Sequence, residues 1–489
     1  MYNRRASDSL MIRLGDVWDR KTRIHLAVAL LVGLGLRLFF VLYLPATDAD
    51  SELYEELGRN MVDYHVYAFD SGNGLVSTDV RMPGYPFFLA ALYVFFGTSE
   101  RAILVAQAFV DLASCVLLAV LAASLAPKWS RRRVTIAAIW LGATCPFVAN
   151  YAADALSEVL ATCFTTAALL LLVWADQAES EILAVRRKVG PQRLWFLGGV
   201  MVGLGALVRP EVPITLAGPA LVLGVRWYRP ANWSRLVRSG LLLAGGMLLP
   251  LLPWTARNWV TLHRVQFLTG RYFQMPGAFI PVGFYTWTHT WLITYKEVDN
   301  VLNRLELAPL NIENFPSYAF DSPAERAQVQ TLLEDQHQNA FVFSPAADAQ
   351  FSQLARQRTA RNPARTYFTV PLRRCLTLWF TPRTELLPYE GHWWPLVRPW
   401  GDYDLDFVVG LLFFGLNLFY VGLAAGGAWS MWRTQGVVLL AAFCMARTVF
   451  IAVEHYTVEP RFVLPCIPAA LALGALVWAK RPDPQASAG

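Results

Sequence analysis

Residues 24–60 read IHLAVALLVGLGLRLFFVLYLPATDADSELYEELGRN. As far as Pro45 the run has the length, about 20 residues, that an apolar helix needs to cross the hydrocarbon core of a bilayer. A helix is the expected form, because backbone N–H and C=O groups facing lipid must bond within their own segment. Immediately beyond it the chain turns acidic, with Asp48, Asp50 and Glu52. Asp50 and Tyr54 are four residues apart and share one face if this piece is helical. One apolar helix thus delivers carboxylates to one face of a membrane.

Bulk composition extends that reading to the whole chain. The 489 residues are 55% hydrophobic and only 16% charged, where soluble domains carry about 25% charged residues. Mean hydropathy is +0.36. The 18 Trp, 18 Tyr and 29 Phe suit two interfacial belts. The net charge of +6 sits largely in short clusters beside apolar segments, which fits an anionic membrane surface better than nucleic acid. Cys115, Cys145, Cys163, Cys375, Cys444 and Cys466 fall mostly in apolar segments without paired spacing, so neither a disulfide framework nor a zinc site is expected. No signal-peptide cleavage site follows the basic N-terminal tail, and the first span is expected to be retained.

The expected architecture is an all-α polytopic membrane protein with spans near 24–45, 101–126, 133–150, 153–175, 194–208, 210–225, 236–256, 405–425, 432–451 and 462–479. Arg4, Arg5, Arg13, Arg20, Lys21 and Arg23 place the start in the cytoplasm. Lys128 with Arg131–Arg133, Arg186–Lys188, Arg226 with Arg229, Arg433 and Lys480–Arg481 are then cytoplasmic too. About ten crossings satisfy all of them, with Pro86–Gly97 as a short outer juxtamembrane or re-entrant helix. Residues 1–256 form the expected amino-terminal membrane module, including an acidic outer loop at 46–100. Residues 257–404 form a large outer region, and 405–489 the closing spans. Within the outer region, Ser322-Pro-Ala-Glu325 predicts a capped helix to about Asp335. Ser344-Pro345 starts another and Asn362-Pro363 stops it. Tyr367–Phe380 is expected as a buried or surface-lying helix interrupted by Arg373-Arg374; if it crosses, the count becomes eleven.

Charged residues near a membrane core are expensive and default to function. Here they gather at the outer ends of the spans: Asp48, Asp50, Glu52, Arg81, the pair Asp154 and Glu158 at a spacing of four, Arg209-Pro210-Glu211 at the turn that interrupts a long apolar run, Arg257, His455, Glu459 and Arg461. Carboxylates and arginines at one depth describe a cavity that holds a lipid phosphate and still offers a base. That suits glycosyl transfer from a lipid phosphate, in which cations stabilise the departing phosphate and a carboxylate activates the acceptor from the opposite face. The donor must supply the energy, since no phosphate-binding loop or dinucleotide fingerprint is present. The Gly-rich GGVMVGLGALVRP at 198–210 reads as close packing of small residues.

These residues carry a family likeness. The chain resembles the bacterial branch of the membrane glycosyltransferases with the C-type fold, related to the protein O-mannosyltransferases and to the aminoarabinose transferase acting on lipid A. The likeness rests on Asp48, Asp50 and Tyr54, Arg81-Met-Pro-Gly-Tyr-Pro86, Gln107 with Asp111, Glu158, LVRPE at 207–211, LLPWTARNW at 251–259 and EHYTVEPRF at 454–462. It implies Asp50 as the catalytic carboxylate, with Glu158 or Asp154 as a second acid lining the cavity. Arg81, Arg257 and Arg461 are implied for the donor phosphate, with Arg209, Tyr54, Asp48 and His455 as further substrate-binding candidates. It also implies a polyprenyl-phosphate sugar donor, undecaprenyl phosphate in bacteria. The acceptor is a lipid, glycan or protein hydroxyl at the periplasmic side of the inner membrane. Members with and without a divalent cation are known, and Asp48 with Asp50 would suit one.

The chain departs from these relatives in places. Arg81-Met-Pro83 stands where the aminoarabinose transferase has Lys-Pro-Pro, which argues against that activity. The three-repeat sugar-binding domain of the eukaryotic O-mannosyltransferases is replaced by helices and the stretch FYTWTHTWLITY at 284–295. Trp287, Trp291 and Tyr295 there suit either contact with a sugar or lipid, or anchoring at the interface. A transporter or flippase of lipid-linked substrates is the competing class. It would more often carry inverted repeats with matching Gly/Pro-broken spans, whereas this chain has one large asymmetric outer loop.

Overall fold

The computed structural model describes residues 19–47, 49–181, 190–270, 272, 279–305, 307–389 and 404–479. Asp48, the N-terminal Arg4, Arg5 and Arg13, the cluster Arg186–Lys188 and the pair Lys480–Arg481 lie outside the described residues. The chain divides into two compact units. One comprises residues 1–269, 382–447 and 464–489; the other comprises 270–381 and 448–463.

Among the described residues, eight helices are long and apolar enough to cross a membrane, and a bent pair, taken as one span, makes nine. In the first unit α1 (Arg20–Tyr43) is capped by the Asp19 carboxylate, which accepts from the Thr22 amide at 2.7 Å. The acidic stretch forms α2 (Ala49–Asp63), so Asp50 and Tyr54 do share a helix. A hairpin of β1 (Ala68–Asp70) and β2 (Leu75–Ser77) follows, with Phe69 opposite Val76. Gly72 and Gly74 supply the positive φ of its turn. Three-residue strands leave too little alternation to be read in the sequence. α3 (Gly84–Phe96) is too short to span, as expected for the Pro86–Gly97 run. α4 (Glu100–Leu125) crosses next.

The next two expected spans redistribute. Arg131–Thr144 (α5) and Pro146–Ala153 form the bent pair, turned by 50°. Pro146 explains the break, because Cys145 before it is pushed to extended backbone at φ −72°, ψ 109°. The following helix, α6 (Glu158–Glu181), starts later than the expected residue 153. α7 (Pro191–Val208) and α9 (Trp233–Leu262) bracket the expected 210–225 span. That segment instead forms a 3₁₀ turn at Val212–Leu216 and a short α8 (Ala217–Arg226). Pro210, Pro213 and Pro219 withhold the amides that a single long helix needs. The small residues of 198–210 do pack closely. A Cβ on Gly199 or Gly203 would stand 2.3 Å from the Leu243 or Met247 carbonyl oxygen on α9.

The second unit is built from α10 (Val282–His289), α11 (Pro323–Gln338), α12 (Pro345–Arg361) and α13 (Val370–Trp379). Ser322 and Ser344 cap α11 and α12 as expected, accepting from the Glu325 and Ala347 amides at 3.1 and 3.2 Å. Glu325 turns inward to Arg358 and Trp287. Trp287 and Trp291 are buried in the unit's core with Phe284, Phe315 and Phe351. That burial removes both expected roles, sugar contact and interfacial anchoring. The 367–380 stretch does not form a span: its helical part ends as α13, ten residues long. Buried Arg374 donates there to the Leu292 carbonyl at 2.8 Å, with the His455 and Ala452 carbonyls at 3.3 and 3.4 Å. The closing helices are α14 (Asp404–Ser430), α15 (Gln435–Glu454) and the run ending in α16 (Ile467–Ala475).

Candidate active site

In the first unit, residues 50 to 447 contribute to one connected set of polar contacts. Asp50, in the first turn of α2, forms an ion pair with Arg81. The Arg81 guanidinium lies over the Tyr54 ring, 5.6 Å from its centre. Arg81 is itself placed by the loop after the hairpin, where the Tyr67 hydroxyl donates to its carbonyl at 2.9 Å. Three residues on, α3 begins at Gly84, where a Cβ would meet the Leu207 carbonyl oxygen at 2.7 Å. The glycine of RMPGYP therefore allows α3 to start hard against the end of α7.

Tyr54 carries the network inward. Its hydroxyl stands 3.4 Å from the Ser157 hydroxyl, and its ring meets Tyr85 edge-on at 5.0 Å. Burial raises the Tyr54 phenol above its usual range, against the opposing pull of Arg81, so it is a proton donor at neutral pH. Ser157 is followed by Glu158, whose carboxylate pairs with Arg209. Arg209 also donates through Nε to Glu211 at 2.5 Å, and Arg447 of α15 reaches the same Glu211 oxygen at 3.4 Å. Burial alone would raise the Glu211 carboxyl, but the Arg209 and Arg447 guanidiniums reverse this and hold it at about 2. The Asp50 and Arg81 side chains are the most exposed of the network, at 26% and 20%, while Arg209 and Glu211 keep 14% and 12% and Glu158 and Arg447 are buried.

Asp154 enters differently from the expected helical pairing with Glu158. Its backbone is extended, at φ −135° and ψ 140°, so the two acids share no helix face. Its carboxylate accepts from the Ser51 hydroxyl of α2 at 2.6 Å, and its carbonyl from the Gln107 amide at 2.7 Å. Gln107 in turn accepts from the Tyr85 hydroxyl at 2.8 Å. Asp154 thus ties α2 to α4 one residue from the catalytic candidate.

Arg257 bridges to the hairpin region by donating to the Thr78 and Tyr67 carbonyls, both at 2.7 Å, and stacks on Tyr67 and Trp254. No carboxylate among the described residues pairs with it. Arg461 and His455 belong to the second unit. There Arg461 pairs with Glu459 at 2.5 Å, and His455 stacks on Tyr456, meets the Phe462 ring at a tilt of 44° and contacts the Thr457 hydroxyl. Among the described residues no three His, Cys, Asp or Glu side chains converge as a metal site.

Sequence reasoning left out Ser157 and Arg447, and placed Glu211 only at the turn that breaks an apolar run. It also left out Arg37, buried within α1, which pairs with Asp111 at 2.6 Å and donates to the Ala143 carbonyl at 2.8 Å. Arg37 and Arg447 each interrupt an apolar span. A lone charge in such a run was the signal that would have found them.

No family model matches the sequence, and no curated protein matches it significantly. Solved structures do. The archaeal oligosaccharyltransferase AglB from Archaeoglobus fulgidus, in complex with an inhibitory peptide and a dolichol-phosphate, is 15% identical. That match covers 94% of this chain and 50% of AglB, with a TM-score of 0.50. ArnT from Cupriavidus metallidurans, bound to undecaprenyl phosphate, is 15% identical over 93% of this chain and 77% of ArnT, with a TM-score of 0.39. The chain thus spans about half the length of the archaeal enzyme it matches. The likeness is one of fold: this is a polytopic α-helical membrane protein with the C-type glycosyltransferase fold.

Proposed function

We propose that the chain is an inverting membrane glycosyltransferase. It takes a sugar from a polyprenyl phosphate, undecaprenyl phosphate in a bacterial inner membrane. It passes the sugar to a hydroxyl of a glycan, glycolipid or protein at the periplasmic face. The observation that carries this reading is the partly exposed Asp50–Arg81 pair, a carboxylate and a guanidinium held side by side at the most exposed end of a largely buried polar network.

In this reading Asp50 takes the proton of the acceptor hydroxyl. The freed oxygen forms the new bond to the anomeric carbon with inversion. The carbon–oxygen bond to phosphate breaks, and the polyprenyl phosphate leaves with the electron pair. Arg81 and Arg257 supply positive charge where negative charge builds up. Arg257 suits this because carbonyl oxygens hold it without cancelling its charge. Arg209 is bound to two carboxylates and has less charge to offer. Glu158 and Asp154 order the inner wall. Arg461 and His455 are kept as substrate-binding candidates by the family resemblance alone, and Asp48 with Asp50 as candidates for a cation.

The test is transfer by the purified full chain from a panel of radiolabelled undecaprenyl-phosphate sugars to a crude membrane acceptor fraction. Product from one donor, absent with a folded Asp50→Asn protein that still binds undecaprenyl phosphate, is expected. Failure of every donor, together with no binding of undecaprenyl phosphate, would overturn the reading.

A further inference from the structure

Arg209 stands between two carboxylates from different directions. Glu158 opens α6, whereas Glu211 follows Arg209 after one proline and precedes the Val212–Leu216 turn. The guanidinium uses Nη1 for Glu158 and Nε for Glu211. Because it is planar, its donors lie in a fixed fork, and two carboxylates on one guanidinium are fixed relative to each other. The Glu211 oxygen that accepts from Arg209 is also reached, at 3.4 Å, by Arg447, fully buried on α15 within an apolar span. The turn is pinned as well. The Arg209 amide donates to the Gly205 carbonyl at 2.8 Å and its carbonyl accepts from Val212 at 3.1 Å. The four side chains carry two positive and two negative formal charges.

This arrangement has an extra member for a phosphate anchor. A cation meant for a ligand needs one stabilising neighbour at most, yet Arg209 has two acids, and the second is tied to another arginine. The connectivity runs from a span interior to Glu158, and from Glu158 through Ser157 to Tyr54 and the Asp50–Arg81 rim.

We propose that Glu211 and Arg447 are positioning residues: through Arg209 they set where the Glu158 carboxylate stands in the acceptor and sugar cavity. The effect on transfer rests on the glycosyltransferase reading above; the coupling itself does not. Neither residue touches the reacting atoms. A displacement of about 1 Å at a positioned group costs on the order of 10²-fold in rate, so an indirect support of this kind is felt in turnover.

The experiment uses the full chain in detergent or nanodiscs and two readouts. The first is the infrared carboxylate band of Glu158, assigned by its loss in Glu158→Gln. The band is expected to move in E211Q and in the charge-neutral double variant E211Q with R447Q, and to return towards wild type in E211D. An Asp111→Asn protein, which breaks the separate Arg37–Asp111 pair, should leave the band in place. A Glu158 band unmoved in folded E211Q and in the double variant overturns the proposal. The second readout is kinetic: E211Q should lower kcat about tenfold or more while the donor KM stays within about twofold, with R447K recovering part of an R447Q loss. Equal losses in D111N and E211Q at equal thermal stability would make the role merely structural and overturn positioning. A shifted band with no transfer by the wild-type protein would leave the coupling established and count against the glycosyltransferase reading alone.

Discussion

Asp50 and Arg81 are 31 residues apart and form an ion pair, one on the first turn of α2, the other at the end of the loop that follows the hairpin. Both are partly exposed, so the pair opens to a substrate at the cost of a screened contact. The two partners do different work in the proposed reaction. Asp50→Asn removes a proton acceptor and should lower kcat by 10³-fold or more, on the order of a lost base, with undecaprenyl-phosphate affinity retained. Arg81→Gln removes a cation at the developing phosphate and should lower kcat/KM by roughly 10²–10³-fold, with part of the loss in donor affinity. Parallel kinetics and lipid-binding titrations on both variants check this; identical profiles for the two would contradict the division of roles.

Tyr54 joins that rim to the interior through two separable contacts. Its hydroxyl reaches Ser157, and its ring carries the Arg81 guanidinium and the edge of Tyr85. Tyr54→Phe keeps the ring and loses one neutral hydrogen bond, worth about 0.5–1.5 kcal/mol. Tyr54→Ala also loses a buried aromatic side chain, a change that costs about 3–5 kcal/mol in a core. The expected order in thermal unfolding and in transfer is wild type, then Y54F slightly reduced, then Y54A strongly reduced. A Y54F protein as impaired as Y54A would place the whole effect on the hydroxyl.

Spans and the outer acidic helix were legible because their signals are local: apolar length for α1 and α4, and the i, i+4 spacing of Asp50 and Tyr54. The caps at Ser322 and Ser344 were legible for the same reason. What escaped was set by tertiary partners. Asp154 has the spacing to share a face with Glu158, but Ser51 of a distant helix claims its carboxylate and its backbone stays extended. Trp287 and Trp291 have the composition of an interfacial belt, and only the packing of α10 against α12 shows them as core. Glu211 looked like a turn residue because Arg447, 236 positions away, is its partner.

The contact between α7 and α9 gives a prediction free of any functional assumption. Gly199 and Gly203 on α7 and Gly246 on α9 each face a carbonyl oxygen of the other helix. A Cβ would stand 2.3, 2.3 and 2.2 Å from the Leu243, Met247 and Phe196 oxygens. Backbone cannot yield as a side-chain tip can, so alanine at any of them forces the helices apart. Each substitution should cost about 1–3 kcal/mol, the range for overpacking a close-fitted core. Gly240 and Gly245 on the same helix meet nothing within 4 Å. Alanine there should be neutral, or stabilising by up to about 1 kcal/mol from helix propensity. Melting temperatures of G203A and G245A in the same detergent decide the matter: equal values would refute the close approach.

Glu211 makes the stability of the first unit depend on pH in one window. Its folded carboxyl is held at about 2, down from an ordinary value of 4.5. A depressed carboxyl contributes stability that is fully present above the unfolded value and is lost as pH falls through the folded one. The loss therefore runs from about pH 4.5 down to about pH 2. At about 1.4 kcal/mol per unit, the whole window is worth on the order of 3 kcal/mol, and the sharing of two arginines spreads it over the group. Protonating Glu211 also leaves Arg447 buried without its carboxylate partner, the costly way to break such a pair. Wild-type unfolding temperatures should fall through this window more steeply than those of Glu211→Gln, which has no proton to gain there. Above the window, at pH 7, E211Q is expected to show a constant deficit, which shrinks as pH falls towards 2. Parallel pH profiles for the two proteins would mean that Glu211 does not bind Arg209 and Arg447 as an ion.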